Sequence, residues 1–463
     1  MILNTMYACR LVVSGRRSYV TGVGLLDDLA HRGLMHDVTH RQALHAALAR
    51  PQSVYAGVDP TARALHIGHL LPLMTLLHFH LRGHTVIPLI GGATGRIGDP
   101  SGRLVERQPA DTKQVEGNAA SLTASIQRFF GRAVEYAVRR VGDHRRGPDA
   151  VVANNLEWHE RVNMLDFLQH VAIHARVNTM LNRESVRARL SSQQGLSFTE
   201  FTYQLLQAYD FYHLHKHRAC SIQVGGSDQW GNILAGLDLI ARLDPPASSH
   251  SPPAFGITTP LLTTASGDKF GKSAGNAVWL DPGMTSVFDF YQYFVKVDDA
   301  DVEKYLKLFT LLSWTDITQV MQTHTTSPEK RTAQRRLAAE VTEMVHSPDG
   351  LARAQTLTAL LFDSDPTHLQ AAHIVAALHD DPRLALVSRT ELLDLPVFKL
   401  AGKYGLVASA SAARNLITAR GLYLNNRTVP DAQHKIDPAS LIDDRVVLLR
   451  AGKDKVLVLA TQE

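Results

Sequence analysis

Apolar positions fall into short runs separated by longer helical patterns. Val54 to Val58 is a compact apolar run and reads as a buried strand. Asp59-Pro60-Thr61 ends it, because Pro60 has no N–H and biases the residue before it to extended geometry. Leu70, Leu71, Leu73, Met74, Leu76 and Leu77 then follow a helical pattern. Thr85 to Ile90, Val151 to Asn155, Ser221 to Val224 and Ile257 to Leu262 read as further strands. Strands alternating with helical segments predict βαβ units, hence an α/β fold with a parallel sheet. Residues 25–50 read as helix in two pieces, Leu25 to Leu34 and Thr39 to Leu48. Residues 111–146 read as a long polar helix ending in an Arg-rich turn (Arg139, Arg140, Arg145, Arg146), expected to be a solvated face. Trp158 to Arg176 is helical in period. Ser197-Phe198-Thr199-Glu200 reads as a capping box that opens a helix running to about His215.

The second half is mostly helical: Val287 to Val295, Asp301 to Leu311 and Trp314 to Met321. Ser327-Pro328 and Ser347-Pro348 look like a cap followed by proline at the first helical position. Near Thr390 the texture changes. Ser409 to Arg420 reads as a capped helix stopped by Gly421, followed by short strands at 422–424, 445–449 and 456–459. The expected division is 26–282 as the α/β domain, 283–375 as a helical domain and 376–463 as a small α+β domain.

Composition narrows the classes. The 463 residues predict two to four domains, and 45% hydrophobic with 20% charged residues is ordinary for a globular protein. A net charge of +4 fits a nucleic-acid partner without requiring one. Cys9 and Cys220 are too far apart in sequence for a C-x-x-C site, and no H-E-x-x-H occurs among the 23 histidines, so no protein-bound metal is expected. No apolar run reaches the ~18 residues of a membrane span. Residues 1–25 contain Arg10, Arg16 and Arg17 but no Asp or Glu, the composition of a mitochondrial transit segment. An ordinary flexible N-terminus has the same look.

Candidate chemistry gathers at strand ends, where open parallel sheets bind ligands. His66 and His69, three apart at a strand-to-helix turn, share a helix face beside the free N–H groups of a helix start, a setting that suits phosphate. Gly91-Gly92-Ala93-Thr94-Gly95 leads to Gly98-Asp99-Pro100-Ser101-Gly102, which is neither a P-loop nor a dinucleotide fingerprint. Asp99 there suits a cationic group such as an α-ammonium. Tyr203, Gln207 and Asp210 lie at i, i+4 and i+7 on one helix face among aromatic residues. That face suits either a polar aromatic ligand or internal pairing. Gly225-Gly226-Ser227-Asp228-Gln229 is another Gly-rich turn. Lys269 and Lys272, set among glycines, make a cationic loop able to stabilise developing phosphate charge.

In order, these stretches closely resemble tyrosyl-tRNA synthetases of the bacterial and mitochondrial type, within class I. Leu-His-Ile-Gly-His matches the HIGH motif and Lys-Phe-Gly-Lys-Ser the KMSKS loop. The resemblance is strong from about Tyr55 to Leu351 and implies an α/β fold: a class I Rossmann-like parallel-sheet catalytic domain, a helical anticodon-binding domain and a small α+β, S4-like RNA-binding domain. It implies that Tyr55 and Asp210 contact the tyrosine hydroxyl, that Asp99, Tyr203 and Gln207 hold its ammonium, and that Gln229 lies along its carboxylate. It further implies an ATP site of Asp59, Thr61, His66, His69, Gly226, Asp228, Lys269 and Lys272, with Mg²⁺ arriving with ATP. Arg103, Arg107, Lys330, Arg331, Arg335 and Arg414 are implied tRNA contacts; a homodimer in the mitochondrial matrix is implied as well. Two departures stand out. Ala56 replaces a common cysteine, and Arg103 replaces a common lysine. A tryptophanyl enzyme, a small nucleotidylyltransferase with H-x-G-H, and an RNA-binding or intron-splicing protein of synthetase shape remain as competing readings.

Overall fold

The computed structural model describes residues 23–102, 105, 110–142, 146–191, 195–245, 253–267, 270–273, 276–362, 369–379, 381–452 and 455–462. Two compact units emerge. One comprises the chain up to Thr285 together with Tyr293–Val345, and the other comprises Ser286–Gln292 with the chain from His346 onward. The division thus falls inside the segment expected to be one helical domain.

The first unit is built on five strands: β1 Ser53–Val58, β2 Thr85–Ile90, β3 Ala153–Asn154, β4 Cys220–Gly226 and β5 Phe255–Thr259. Their order is β3-β2-β1-β4-β5, and every neighbouring pair is parallel. The chain winds outward from β1 in both directions, so the β1/β4 junction is the topological switch point, where a crevice opens at the strand C-termini. Helix Leu70–His80 is apolar all round and buried over nearly its whole length, as a helix sandwiched in a core must be. Helix Phe198–Arg218 packs along Trp230–Leu243 beside β4. A short ribbon, β6 Lys272–Ser273 and β7 Asn276–Ala277, closes the lysine loop.

Several expectations are corrected. The N-terminal helices run Leu25–Arg32 and Arg41–Ala47. The Trp158–Arg176 stretch is three short pieces, Leu156–His159, Met164–His170 and Ala172–His174. The long helix Thr112–Val141 is amphipathic, burying Val115, Leu122, Ile126, Phe129 and Tyr136. Its Arg139 and Arg140 are exposed, as expected of a solvated face, but they are also ion-paired. Arg139 donates to Glu343 at 2.9 Å and Arg140 to Glu340 at 2.8 Å, with Tyr136 hydroxyl on the same Glu340 carboxylate. The acids lie about 200 positions away, so local composition carried no trace of them. Arg145 lies outside the described residues. Ser197 does cap Glu200 N, but the Glu200 carboxylate turns inward to the fully buried Arg189, so the reciprocal half of the box gives way to a buried ion pair.

In the second unit β8 Leu384–Val387, β9 Leu422–Leu424, β10 Arg427–Thr428, β11 Val446–Ala451 and β12 Lys455–Thr461 form a sheet in the order β10-β9-β11-β12-β8. Helices Val397–Lys403 and Ala410–Thr418 bring Phe398, Leu400, Ala413 and Ile417 into its core. Ser409 caps the second helix, but the left-handed residue that ends it is Arg420 (φ 55°), with Gly421 N bonding back to Leu416 O. The Thr332–Phe362 helix breaks where the Ser-Pro signal stands, at Ser347 (φ 73°) before Pro348.

Candidate active site

Strand β1 carries Tyr55 to the switch point, in register with Ile87 on β2 and Gln223 on β4. Tyr55 is 1% exposed and packs on Phe211 with ring centroids 5.3 Å apart. Its hydroxyl is buried without a hydrogen-bond partner. Burial, and then the charge of Asp210, push its pKa well above the ordinary value, so it is a fixed O–H donor. Asp210 is 2% exposed. Its Oδ1 accepts from Trp158 Nε1 at 2.8 Å and His159 Nε2 at 2.7 Å, and its Oδ2 accepts from Asn155 Nδ2 at 3.0 Å. A carboxylate offers about four acceptor positions, so one on Oδ2 remains beside an unused Tyr55 hydroxyl. A buried hydroxyl without a partner costs about 1–3 kcal/mol, a strong reason to look for a ligand there.

A polar chain leads from this end along the crevice. Asn155, fully buried, also donates to Thr94 Oγ1 at 2.9 Å and accepts from Ala93 N at 2.7 Å. Thr94 donates to Asp59 Oδ1, and Tyr203 hydroxyl donates to Asp59 Oδ2, both at 2.8 Å. Burial, then Asp59, hold the Tyr203 pKa high, which keeps it a donor. Backbone and carboxylate meet closely here: a Cβ on Gly91 would lie 2.0 Å from Asp59 Oδ1, so only glycine fits. Across the crevice Asp99 accepts from Ser101 N at 2.9 Å and from Gln229 Nε2 at 2.6 Å, and Asn232 donates to Gln207 Oε1 at 3.0 Å. Tyr203, Gln207, Asp210, Asp99 and Gln229 are thus tied into polar networks at the ends of β1, β2 and β4.

His66 and His69 stand at the start of the helix that follows β1. His66 N donates to His69 Nδ1 at 3.0 Å and Gly68 N to His66 Nδ1 at 3.1 Å, with the rings 3.9 Å apart. Both Nδ1 atoms are therefore acceptors, which fixes the protons of the neutral rings on Nε2. Burial, then the adjacent His66, lower the His69 pKa to about 3. The segment after the lysine loop pins this turn: Ile67 N donates to Val278 O at 3.0 Å, Leu280 N to Leu65 O at 2.8 Å, and Val278 N to Gly271 O at 2.8 Å. Phe270 is buried against Tyr293, Phe294, Tyr305 and Phe309. The loop root is thus held against the histidine turn.

Thr61 is exposed on the loop after β1, Asp228 is exposed in the 3-10 turn Ser227–Gln229 after β4, and Gly226 ends β4. Lys269, the Lys272 side chain, Arg103 and Arg107 lie outside the described residues. Lys330 and Arg335 are exposed, whereas Arg331 donates to Val297 O at 2.8 Å and Arg336 pairs with Glu340 at 2.7 Å. Arg414, in the second unit, lies over the Phe398 ring at 4.2 Å. Sequence reasoning missed Thr94, Asn155, Trp158, His159 and Asn232. The one available signal was Asn154-Asn155 at a strand end, where a side-chain amide is placed to meet a ligand-binding crevice.

A parallel sheet with polar residues at its switch point, a histidine turn and a lysine loop defines a nucleotide-handling α/β enzyme. The family described as tRNA synthetases class I (W and Y) matches residues 47–363, and the chain belongs to it. The mitochondrial tyrosine--tRNA ligase of Saccharomyces cerevisiae is 44% identical over 88% of this chain and 82% of its own length. The tyrosine--tRNA ligase of Roseiflexus castenholzii is 43% identical over 87% and 91%. A C-terminally truncated mitochondrial tyrosyl-tRNA synthetase of Aspergillus nidulans superposes with a TM-score of 0.66 at 36% identity, covering 73% of this chain and 94% of that one. Within the family the chain falls with the tyrosine enzymes.

Proposed function

We propose that this chain activates tyrosine with MgATP to tyrosyl-adenylate, releases pyrophosphate, and transfers the tyrosyl group to the 3′ end of tRNA(Tyr) in the mitochondrial matrix. The observation that carries this is the Tyr55 hydroxyl, buried and unpartnered beside an Asp210 carboxylate with one acceptor position left. A phenol both donates and accepts a hydrogen bond, so it satisfies both groups. An indole N–H only donates and would leave Tyr55 unpaired. Asp99, Tyr203 and Gln207 then hold the ammonium group, and Gln229 lies along the carboxylate. The carboxylate is already a nucleophile and attacks the α-phosphorus without a general base. Catalysis is positioning, plus stabilisation of phosphate charge by His66, His69, Lys269 and Lys272, with Asp59, Thr61, Gly226 and Asp228 along the nucleotide. The metal belongs to the nucleotide substrate. Tyrosine-dependent ATP–pyrophosphate exchange tests the whole reading; absence of exchange with tyrosine, or equal exchange with tryptophan, overturns it.

The mitochondrial assignment is supported by the acid-free N-terminus and by the name of the yeast relative. A homodimer is supported by large apolar side chains left exposed on the first unit: Met164 (73%), Leu165 (74%), Ile173 (60%) and Phe198 (76%). Single exposed apolar residues are ordinary, but four of this size at 60% exposure or more are candidates for an association surface. Phe198→Asp places an acid at the first turn of its helix, where it suits the helix dipole, so folding is preserved. Sedimentation at micromolar concentration is expected to show this variant as a monomer; an unchanged dimer would remove the surface from consideration.

The helical and S4-like parts are proposed to hold tRNA through Lys330, Arg331, Arg335 and Arg414, together with Arg103 and Arg107 of the α/β domain. Lys330 and Arg335 test this most cleanly, because they are exposed. The Lys330→Ala/Arg335→Ala variant is expected to weaken tRNA charging about tenfold at low salt, with a shallower salt dependence than the parent because two phosphate contacts are gone, while pyrophosphate exchange stays unchanged. Loss of both activities together would contradict the assignment.

A further inference from the structure

We propose that His159 is a positioning residue for amino-acid recognition: by filling Asp210 Oδ1 it leaves Oδ2 as the single atom able to accept the substrate hydroxyl. The inference rests on the tyrosine-recognition reading above and deepens it. His159 ends the short helix Leu156–His159, directly after the Asn155 that closes the strand end. Its side chain is 10% exposed, and its Nε2 lies 2.7 Å from Asp210 Oδ1. Trp158 Nε1 reaches the same oxygen at 2.8 Å. An ionised carboxylate only accepts, so both nitrogens donate, and the two lone-pair positions of Oδ1 are used. Oδ2 holds only Asn155 Nδ2, at 3.0 Å. The two oxygens are therefore not equivalent, and the inequality depends on His159.

Without His159, Oδ1 regains an acceptor position. The incoming hydroxyl then has two places to bind, and the carboxylate has lost one of its three anchors against rotation. Oδ2 is the oxygen tied through Asn155 to Thr94, and so to the rest of the polar chain. Hydrogen bonds to a charged acceptor are directional and strong, so the loss of one donor alters how the carboxylate is held. His159 also meets the Tyr209 ring edge-on at 5.6 Å, so a packing role must be separated from a donor role.

Two substitutions make that separation. His159→Phe keeps a ring against Tyr209 and removes the donor. His159→Gln removes the ring and offers an amide N–H of similar reach. In pyrophosphate exchange, His159→Phe is expected to raise the tyrosine KM about tenfold, with kcat and the ATP KM within about threefold, and to lower the preference for tyrosine over phenylalanine. His159→Gln is expected to keep the tyrosine KM within about threefold. The reverse pattern, Gln impaired and Phe normal, means packing and overturns the proposal, as does an unchanged KM in both. Should His159→Phe fail to fold, a tenfold KM rise in His159→Gln is enough to overturn it, and a normal KM supports it. Asp210→Asn, measured alongside, separates the two levels. If it retains normal tyrosine exchange, the recognition reading fails; if it is inactive while both His159 variants are normal, only the role of His159 fails.

Discussion

Asp210→Ala is expected to reduce kcat/KM for tyrosine in pyrophosphate exchange by at least about a thousandfold. The tyrosine hydroxyl would enter a buried site without its acceptor, and the Asn155, Trp158 and His159 donors would lose theirs. The donors are orphaned in the free enzyme too and cost stability. The substrate hydroxyl's lost bond is to a buried charge and exceeds the roughly 1–3 kcal/mol of a neutral bond, and about 4 kcal/mol is a thousandfold in kcat/KM. The parallel sheet does not depend on this carboxylate, and the far-ultraviolet circular dichroism is expected to stay that of the parent. The effect belongs to the amino-acid end of the crevice, so ATP affinity should hardly change. A variant that exchanges pyrophosphate at the parental rate would show that Asp210 does not meet the substrate.

His69→Ala is expected to lower kcat about a hundredfold while the tyrosine KM stays within about threefold, the size and pattern of losing one preorganised donor to a developing charge. The Nδ1 of His69 is already used by His66 N, which leaves Nε2–H for the phosphates. The sign of its pH dependence follows from burial. A folded-state pKa of about 3 lies below the ordinary value of about 6.5, so the ring is neutral in the folded protein throughout pH 5–8. Protonation of His69 therefore contributes no acid limb to the exchange profile in that range. Below about pH 6.5 the unfolded chain takes up this proton and the folded chain does not, so stability falls as pH falls toward 3. His69→Ala removes that component, and its melting temperature is expected to be less sensitive to acid. A kcat loss matched by an equal rise in tyrosine KM would move His69 from the phosphate end to the amino-acid end.

The helix Phe198–Arg218 shows where sequence reasoning reaches and where it stops. Its face of Tyr203, Gln207 and Asp210 follows from helical spacing alone, since a period of 3.6 residues fixes which side chains are neighbours. That Tyr203 bonds Asp59, 144 positions away, does not follow from any local pattern. The same holds for Glu200, which reads as half of a capping box and is the buried partner of Arg189. Local capping and a distant ion pair compete for one carboxylate, and packing decides.

The amino-acid sequence by itself determined the alternation of strand and helix, the strand ends with their glycines, the histidine turn and the lysine loop. Each is a short-range property, fixed by steric limits on the backbone and by side-chain period. Only the tertiary structure decided that Asn155, Trp158 and His159 converge on Asp210, that Arg139 and Arg140 are tied to Glu340 and Glu343, and that Tyr55 carries an unspent hydroxyl. Those facts depend on which strands lie side by side in the sheet and, for Arg139 and Arg140, on which helices pack together. Parallel pairing joins segments separated by whole helices, and charge and hydrogen-bond complementarity across that distance leaves no period in the chain to read.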